Sequence, residues 1–523
     1  MSSRSKKQDM FRLSIGRVDA LDMSIFPIKE ENEDIVDDAA MRSSLKLEEE
    51  ITEEDKVETP KPTVYSVDID KESARKAAAA AIRLVKKATD KSNVIRADGK
   101  DDGVARFSHE EVGWGALLGR GGFADVHEIE ILDTSKPLST APKESFFRTS
   151  FQLNVPESVD EQRRKFVSDN LRREEGNHDA RYAIKFLSRE TMMNPAKYRT
   201  GAADLALEAK FLASLDHPNI VKIRGIPNEG EKGFLRPVLG GFFIIMDRLY
   251  NTLDEQIHVT WKEEKDAFPS SKRFMCKPPD PVVEQKKEDL LLRRLTAMFD
   301  IAGAFSYMHQ HNIVYRDAKP ENAGIDVRGD VKIFDFGLAK ELTSDVEMED
   351  GTYNVTGETG SLRYMAPEVK LCKPYNVSAD VHSVAIIFWE MMSLKTPFLN
   401  FTKGDIEIEV VEQDLRPTIK NSWPPAIKSL IKKGWSPKPT DRPTMSEICT
   451  DIRKMIVGIK GGDEKGLNHV SRRSTHILDV KKTQNGLLSK STLMGLSESV
   501  QLDFQFELDE IEESDEEGSM SQT

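Results

Sequence analysis

Tyr315-Arg316-Asp317-Ala318-Lys319-Pro320-Glu321-Asn322, with Asp335-Phe336-Gly337 starting thirteen positions after Asn322 and Ala366-Pro367-Glu368 further on, organises the reading of this 523-residue sequence. Asp317, Lys319, Asn322 and Asp335 stand close together in the chain. Transfer of a phosphoryl group calls for these residue types: a carboxylate beside the incoming hydroxyl, oxygen ligands for Mg²⁺, and cations that spread the charge developing on the phosphate. The string supplies each of them in order.

Upstream, Gly119-Arg120-Gly121-Gly122-Phe123-Ala124-Asp125-Val126 puts small residues where backbone N–H groups can approach phosphate oxygens, with Phe123 capping the loop tip. The same residues satisfy the G-x-G-x-x-A dinucleotide fingerprint. That fingerprint opens a helix, whereas residues 125–132 alternate like a strand, so a strand–turn–strand flap over phosphates is expected. Ala183-Ile184-Lys185 ends an apolar strand and can hold an ammonium inside a cleft, although such a tripeptide alone is more often a surface lysine. Glu208 sits among Leu205, Leu207, Phe211, Leu212 and Leu215 in a helical stretch, and it gains meaning only together with Lys185.

Strand-like runs at 114–118, 124–132, 182–187 and 242–246 precede helical periodicity at 290–310 and 378–392, which predicts a sheet-rich part followed by a helix-rich one. Polar, aperiodic stretches at 133–179 and 261–288 read as insertions. Residues 1–106 carry acidic runs at 30–38 and 48–55 and read as disordered, except for an alanine-rich helix at 73–91, either solvated or used for docking. From 458 onward the chain turns polar again, and ten Asp and Glu crowd 498–517 into an acidic tail. Both charged tails are candidates for docking partners.

The formal charge of -14 argues against general affinity for nucleic acid or an anionic membrane. Three cysteines, Cys276, Cys372 and Cys449, lie far apart without CxxC spacing, so neither a disulfide framework nor a zinc knuckle is expected. A reducing compartment fits, with the cytoplasm as default and basic clusters at 86–91 and Arg472-Arg473 keeping nuclear entry open. No apolar run reaches bilayer-spanning length. The sequence carries no reading of oligomeric state.

Together the motifs resemble the eukaryotic protein kinase domain across about 107–457, and Trp435, six residues before Asp441-Arg442-Pro443, resembles the tyrosine-kinase-like group, whose members mostly act on serine or threonine. The resemblance implies an α+β, bilobal fold: a small antiparallel β-sheet lobe with one main helix, and a larger, mostly α-helical lobe. It implies an enzyme that moves the γ-phosphate of ATP, with Mg²⁺, to Ser or Thr hydroxyls of protein substrates. Asp317 would accept the substrate proton, Lys319 would steady the transferring group, and Lys185 would bind phosphate with Glu208 as its ion-pair partner. ATP would lie against Gly119, Arg120, Gly121, Gly122, Phe123, Ala124, Val126, Ala183 and Lys185, with Met246 at the back of the adenine pocket and Asp247 to Leu249 along the adenine edge. Asn322 and Asp335 would hold Mg²⁺. Glu368 and Arg442 would form a buried ion pair, and Asp380 would support the catalytic loop. The alternatives are a kinase-fold scaffold without transfer activity and a dual-specificity kinase; the complete set Lys185, Glu208, Asp317, Asn322 and Asp335 argues against the first, and Lys319-Pro320 against the second.

Four positions depart from the family pattern. Tyr315 replaces a histidine, Ala124 takes a third glycine position, and Ala318 stands where Leu or Ile is usual. Gly324 stands where a leucine usually forms the floor under adenine, which predicts spare room there. Phosphorylation of Thr356, or secondarily Thr359, is expected to raise activity by pairing with Arg316, while Ser361 is expected to hydrogen-bond Asp317 and Lys319.

Overall fold

The computed structural model describes residues 66–95, 104–132, 182–269 and 280–460; the expected insertion at 133–179, the first 65 residues and the acidic tail lie outside the described residues. Helix α1 (Lys71–Thr89) starts where the Asp70 side chain accepts the Ser73 amide at 2.9 Å, an N-cap that satisfies one of the orphan donors of the first turn. Its buried residues Ala74, Ala77, Ala78, Ala81 and Val85 recur every three or four positions and form one stripe. The stripe lies against helix α2 (Pro195–Ser214) and a 3₁₀ turn at Gly230–Leu235. Within the described residues 66–95, this corrects the expectation of a solvated or docking helix, because α1 is part of the fold. Each methyl-sized group contributes only on the order of 0.8 kcal/mol, but a row of alanines lets two helix backbones approach closely.

The sheet-rich part follows as β1 (Ala105–Phe107), β2 (Val112–Arg120), β3 (Ala124–Leu132), β4 (Tyr182–Leu187), α2, β5 (Ile223–Pro227) and β6 (Phe243–Asp247). The strands form one six-stranded sheet in the order β1-β5-β6-β4-β3-β2, antiparallel except for the parallel pairing of β1 with β5. Period-two alternation along β4 sorts its side chains. Tyr182, Ile184 and Phe186 join one apolar cluster with Phe107, Val112 and Phe243, whereas Ala183 and Leu187 join the main core on the face that also receives α2. Lys185 shares the second face by register. Helix α2 is primed by the Asn194 side chain, which accepts the amides of Ala196 and Lys197, both at 3.1 Å, and by Pro195 at its first position.

The second half runs β7 (Asn251–Thr252), α3 (Trp261–Asp266), α4 (Pro281–Gln310), β8 (Ile313–Val314), β9 (Ala323–Ile325), β10 (Val331–Ile333), β11 (Lys340–Glu341), α5 (Ser378–Ser393), α6 (Pro425–Gly434) and α7 (Met445–Ile459). Every residue of α5 from Ala379 to Ser393 is buried, so it is the central post of this lobe. Strands β10-β9-β7 form a small sheet and β11-β8 a two-stranded pair, and the Ile333 carbonyl of β10 accepts the Val221 amide at 2.9 Å. The stretch 261–288 is not a featureless insertion where it is described: Trp261 opens α3 and is buried, and α4 begins at Pro281 with Asp280 capping the Val282 amide at 2.9 Å. The first turns of α4 are exposed, so no apolar period marked them as helical.

Candidate active site

Lys185 and Glu208 meet because β4 and α2 pack face to face. The Lys185 ammonium lies 2.7 and 2.9 Å from the two Glu208 oxygens and 3.1 Å from Asp335 Oδ1. The Glu208 side chain is 3% exposed. Burial works against the Lys185 ammonium, but the Asp335 and Glu208 carboxylates outweigh it and hold its pKa above the ordinary lysine value. Asp335 is held below the usual carboxylate range, chiefly by the Lys185 charge. Phe336 packs its ring 6.5 Å from Phe211 of α2, which ties the residue after Asp335 to the helix that carries Glu208.

Around Asp317 the bonds converge. Ser361 donates to Asp317 Oδ1 from its backbone N–H and from its hydroxyl, both at 2.8 Å. Lys319 sits 3.0 Å from Asp317 Oδ2 and donates to the Ser361 hydroxyl at 3.0 Å. Asn322 gives its amide N–H groups to the Asp317 carbonyl and to Oδ2, both at 2.9 Å. Asp380 at the start of α5 accepts the backbone amides of Tyr315 at 2.8 Å and Arg316 at 2.9 Å, fixing the loop from below. That fixing matters because Arg316 (φ 71°) and Asp335 (φ 66°) both hold left-handed backbone, a cost of about 1 kcal/mol or more each that only surrounding contacts sustain. The Tyr315 ring stands edge-on to Phe305 and Phe336, each at 5.4 Å, and its hydroxyl donates to the Phe334 carbonyl, so it is a packing residue in place of histidine. Arg442 binds Glu368 through Nη1 at 2.5 Å and Nη2 at 2.9 Å, with both residues buried.

The flap takes the expected strand–turn–strand form, since β2 and β3 pair with Gly119 opposite Val126 and Arg120 opposite Asp125. Gly121 N–H donates to the Ala124 carbonyl at 2.8 Å and closes the turn. A Cβ at Gly119 or Gly122 would meet nothing within 4 Å, so these glycines leave a bare backbone rim. Phe123 packs against the core, and its backbone carbonyl accepts the Ser188 amide at 2.9 Å. Ala183 is paired with Met246, which is 6% exposed, and Asp247 takes two hydrogen bonds from Arg224 at 2.7 and 2.9 Å. The expected spare room at Gly324 is absent. A Cβ built there would run into the Leu249 side chain, so Leu249 already fills the volume.

Asp204 carries an interaction that the motif reading missed. One turn before Glu208 on α2, its Cβ lies 3.7 Å from the position of a Cβ on Gly337, beside Asp335. Burial, then the Asp335 charge, push its carboxyl up to about 7. Its i, i+4 spacing to Glu208 was the only signal available in sequence.

For Mg²⁺, the donor chemistry fits. Asn322 spends its N–H groups on Asp317, so its side-chain carbonyl oxygen would be the ligand, while Asp335 retains 45% side-chain exposure beyond its contact with Lys185. Two oxygen donors from neighbouring strand ends suit a hard divalent cation.

Comparison with known proteins agrees with this geometry. Residues 171–452 match the model of the protein kinase domain. The serine/threonine-protein kinase STY46 of Arabidopsis thaliana is 37% identical over 186 residues, covering 34% of this chain and 31% of its own length. The serine/threonine/tyrosine-protein kinase HT1 of the same plant is 33% identical over 180 residues, 34% of this chain and 44% of its own. The mouse serine/threonine-protein kinase TNNI3K is 30% identical over 229 residues, 43% of this chain and 26% of its own. The chain thus spans about a third of the length of the first curated relatives it matches. With the Lys185–Glu208 pair, the Asp317 loop and Asp335 assembled on a two-part α+β fold, the chain belongs to the protein kinase domain family.

Proposed function

We propose that this chain transfers the γ-phosphate of ATP to serine and threonine hydroxyls of proteins. The observation that carries the reading is the convergence of two networks: Lys185 bound to Glu208 and Asp335, and Asp317 bound to Lys319, Asn322 and Ser361. In that arrangement Lys185 meets the α- and β-phosphates, and the flap glycines lay backbone N–H groups over them. Asp317 orients the substrate hydroxyl and takes its proton, while Lys319, 3.0 Å from the same carboxylate, neutralises charge on the moving group. Asn322 and Asp335 would hold Mg²⁺, which would supply positive charge to offset that of the phosphates. The Asp247–Leu249 backbone borders adenine, with Met246 behind it. Among the described residues no helix is long and apolar enough to cross a membrane.

The names of the relatives support serine and threonine as acceptors, and that of HT1 adds tyrosine, so phosphoamino-acid analysis of the modified substrate decides the range. The test of transfer itself is Lys185→Met and Asp335→Asn with radiolabelled ATP and a generic protein substrate. Each variant is expected to lose on the order of 10²-fold or more in kcat while keeping its thermal transition, since each removes a preorganised charge. Near wild-type transfer in either variant overturns the reading.

A further inference from the structure

Residues 66–95 lie outside the matched domain and touch the rest of the molecule along their whole length. At the start, Ser66 pairs with Val238, and the Val67 amide donates to the Pro237 carbonyl at 2.9 Å. In the middle, the Ala77, Ala78 and Ala81 stripe of α1, between 0 and 2% exposed, lies along α2. At the end, the Asn93 amide donates to Glu341 Oε1 at 2.8 Å, the Ser92 hydroxyl donates to the other Glu341 oxygen, and Lys91 pairs with Asp345. Glu341 is buried on β11, six residues past Asp335.

We propose that residues 66–95 are a built-in clamp whose positioning residues, Ala77, Ala81 and Ser92, hold α2 and β11 so that Glu208 and Asp335 meet Lys185 together. The clamp thus touches the helix that carries one partner of Lys185 and the strand that follows the other. Helix α2 offers the small residues Ala202, Ala206 and Ala209, spaced four and three apart and buried like the alanines of α1. Where alanine meets alanine the two backbones approach closely, and a larger or charged group there has no room. Loss of α1 would expose apolar surface of α2 and free it to pivot, which separates Glu208 from Lys185. Competence of the site then depends on a segment that the catalytic motifs do not contain. The proposal rests on the role given above to Glu208.

The test uses full-length protein. Ala81→Asp drives a charge into the α1–α2 contact, and Ile82→Asp, at a position 42% exposed, is the control. Ala81→Asp is expected to lower kcat/KM for ATP at least tenfold and to speed amide exchange in 71–89 and 195–214, with 378–393 still protected. Ile82→Asp is expected to match wild type in both. Fast exchange in 71–89 with unchanged kcat/KM overturns the proposal, as does full protection of 195–214. Should Ala81→Asp fail to fold, Glu341→Ala decides: it removes the acceptor of Ser92 and Asn93 and is expected to lower kcat/KM at least threefold, and unchanged activity overturns the clamp. Glu208→Gln separates the two ideas. If it retains full activity, the reading of the site fails; if it is impaired while Ala81→Asp is not, the clamp alone fails.

Discussion

At Gly324 the backbone of β9 runs beside β7, and the volume that a side chain would claim belongs to Leu249, seventy-five residues earlier in the chain. A leucine at 324 would have to push Leu249 aside, and overpacking of this kind costs about 1 to 3 kcal/mol. Gly324→Leu is therefore expected to raise KM for ATP by roughly tenfold, and Leu249→Ala in the same molecule to restore it. Tighter ATP binding in the single variant would show that Leu249 yields at no cost. Asp204 gives a second residue-scale prediction. Its carboxyl keeps a proton up to about pH 7 in the folded protein, against 3.8 in an unperturbed chain. The folded state thus binds more protons than the unfolded state between those values, so this group's contribution to stability is greatest at low pH and declines as pH rises toward 7. In nucleotide-free protein, Asp204→Asn should be more stable than wild type at pH 8, on the order of 1 to 3 kcal/mol after allowing for partial solvation, and the gap should close by pH 4. Parallel stability curves across that range would rule out the shifted carboxyl.

At the scale of elements, the segment from Asp335 to Glu368 is more tied down than its glycines suggest. Tyr353 pairs with Tyr375, Glu358 binds Lys370 at 2.6 Å, and Lys370 also reaches Glu407 at 2.6 Å. The Tyr375 hydroxyl donates to the Thr356 carbonyl at 2.8 Å and also interacts with Arg316, which brings the exposed Thr356 near that guanidinium. Arg316 already donates to the Leu338 carbonyl at 2.6 Å, so a phosphate would strengthen an existing arrangement rather than create order. Phosphorylation at Thr356 should then raise kcat/KM about tenfold, the worth of one or two charge-assisted hydrogen bonds. The measurement compares phosphatase-treated and untreated wild type with Thr356→Ala after mapping phosphates by mass spectrometry. Equal activity of all three would leave Arg316 a purely structural residue. Helix α1 belongs to this scale as well: its length and composition announced a helix, but its partner α2 is more than a hundred residues away in sequence.

For the whole molecule, legibility followed the range of the interaction. The order Gly119 to Ala124, Lys185, Glu208, Asp317 to Asn322 and Asp335 was readable because phosphate and metal chemistry demands particular side chains, and short strands and turns present them at characteristic spacings. Asp380, Glu368 and Arg442 followed from the same pattern, and the contacts Asp380 makes with the loop and Glu368 makes with Arg442 are in place. The sequence by itself therefore determined which polar side chains gather in the cleft and the division into a sheet-rich and a helix-rich part. Only the tertiary structure decided that α1 is buried, that 281–288 continues a long helix, that Leu249 fills the space at Gly324, and that Asp204 faces Asp335. These outcomes depend on which surfaces meet and which volumes are already taken. An alanine stripe or an exposed helical turn reads the same in a chain whether or not a partner lies against it, because close packing is a property of the contact and not of either segment alone.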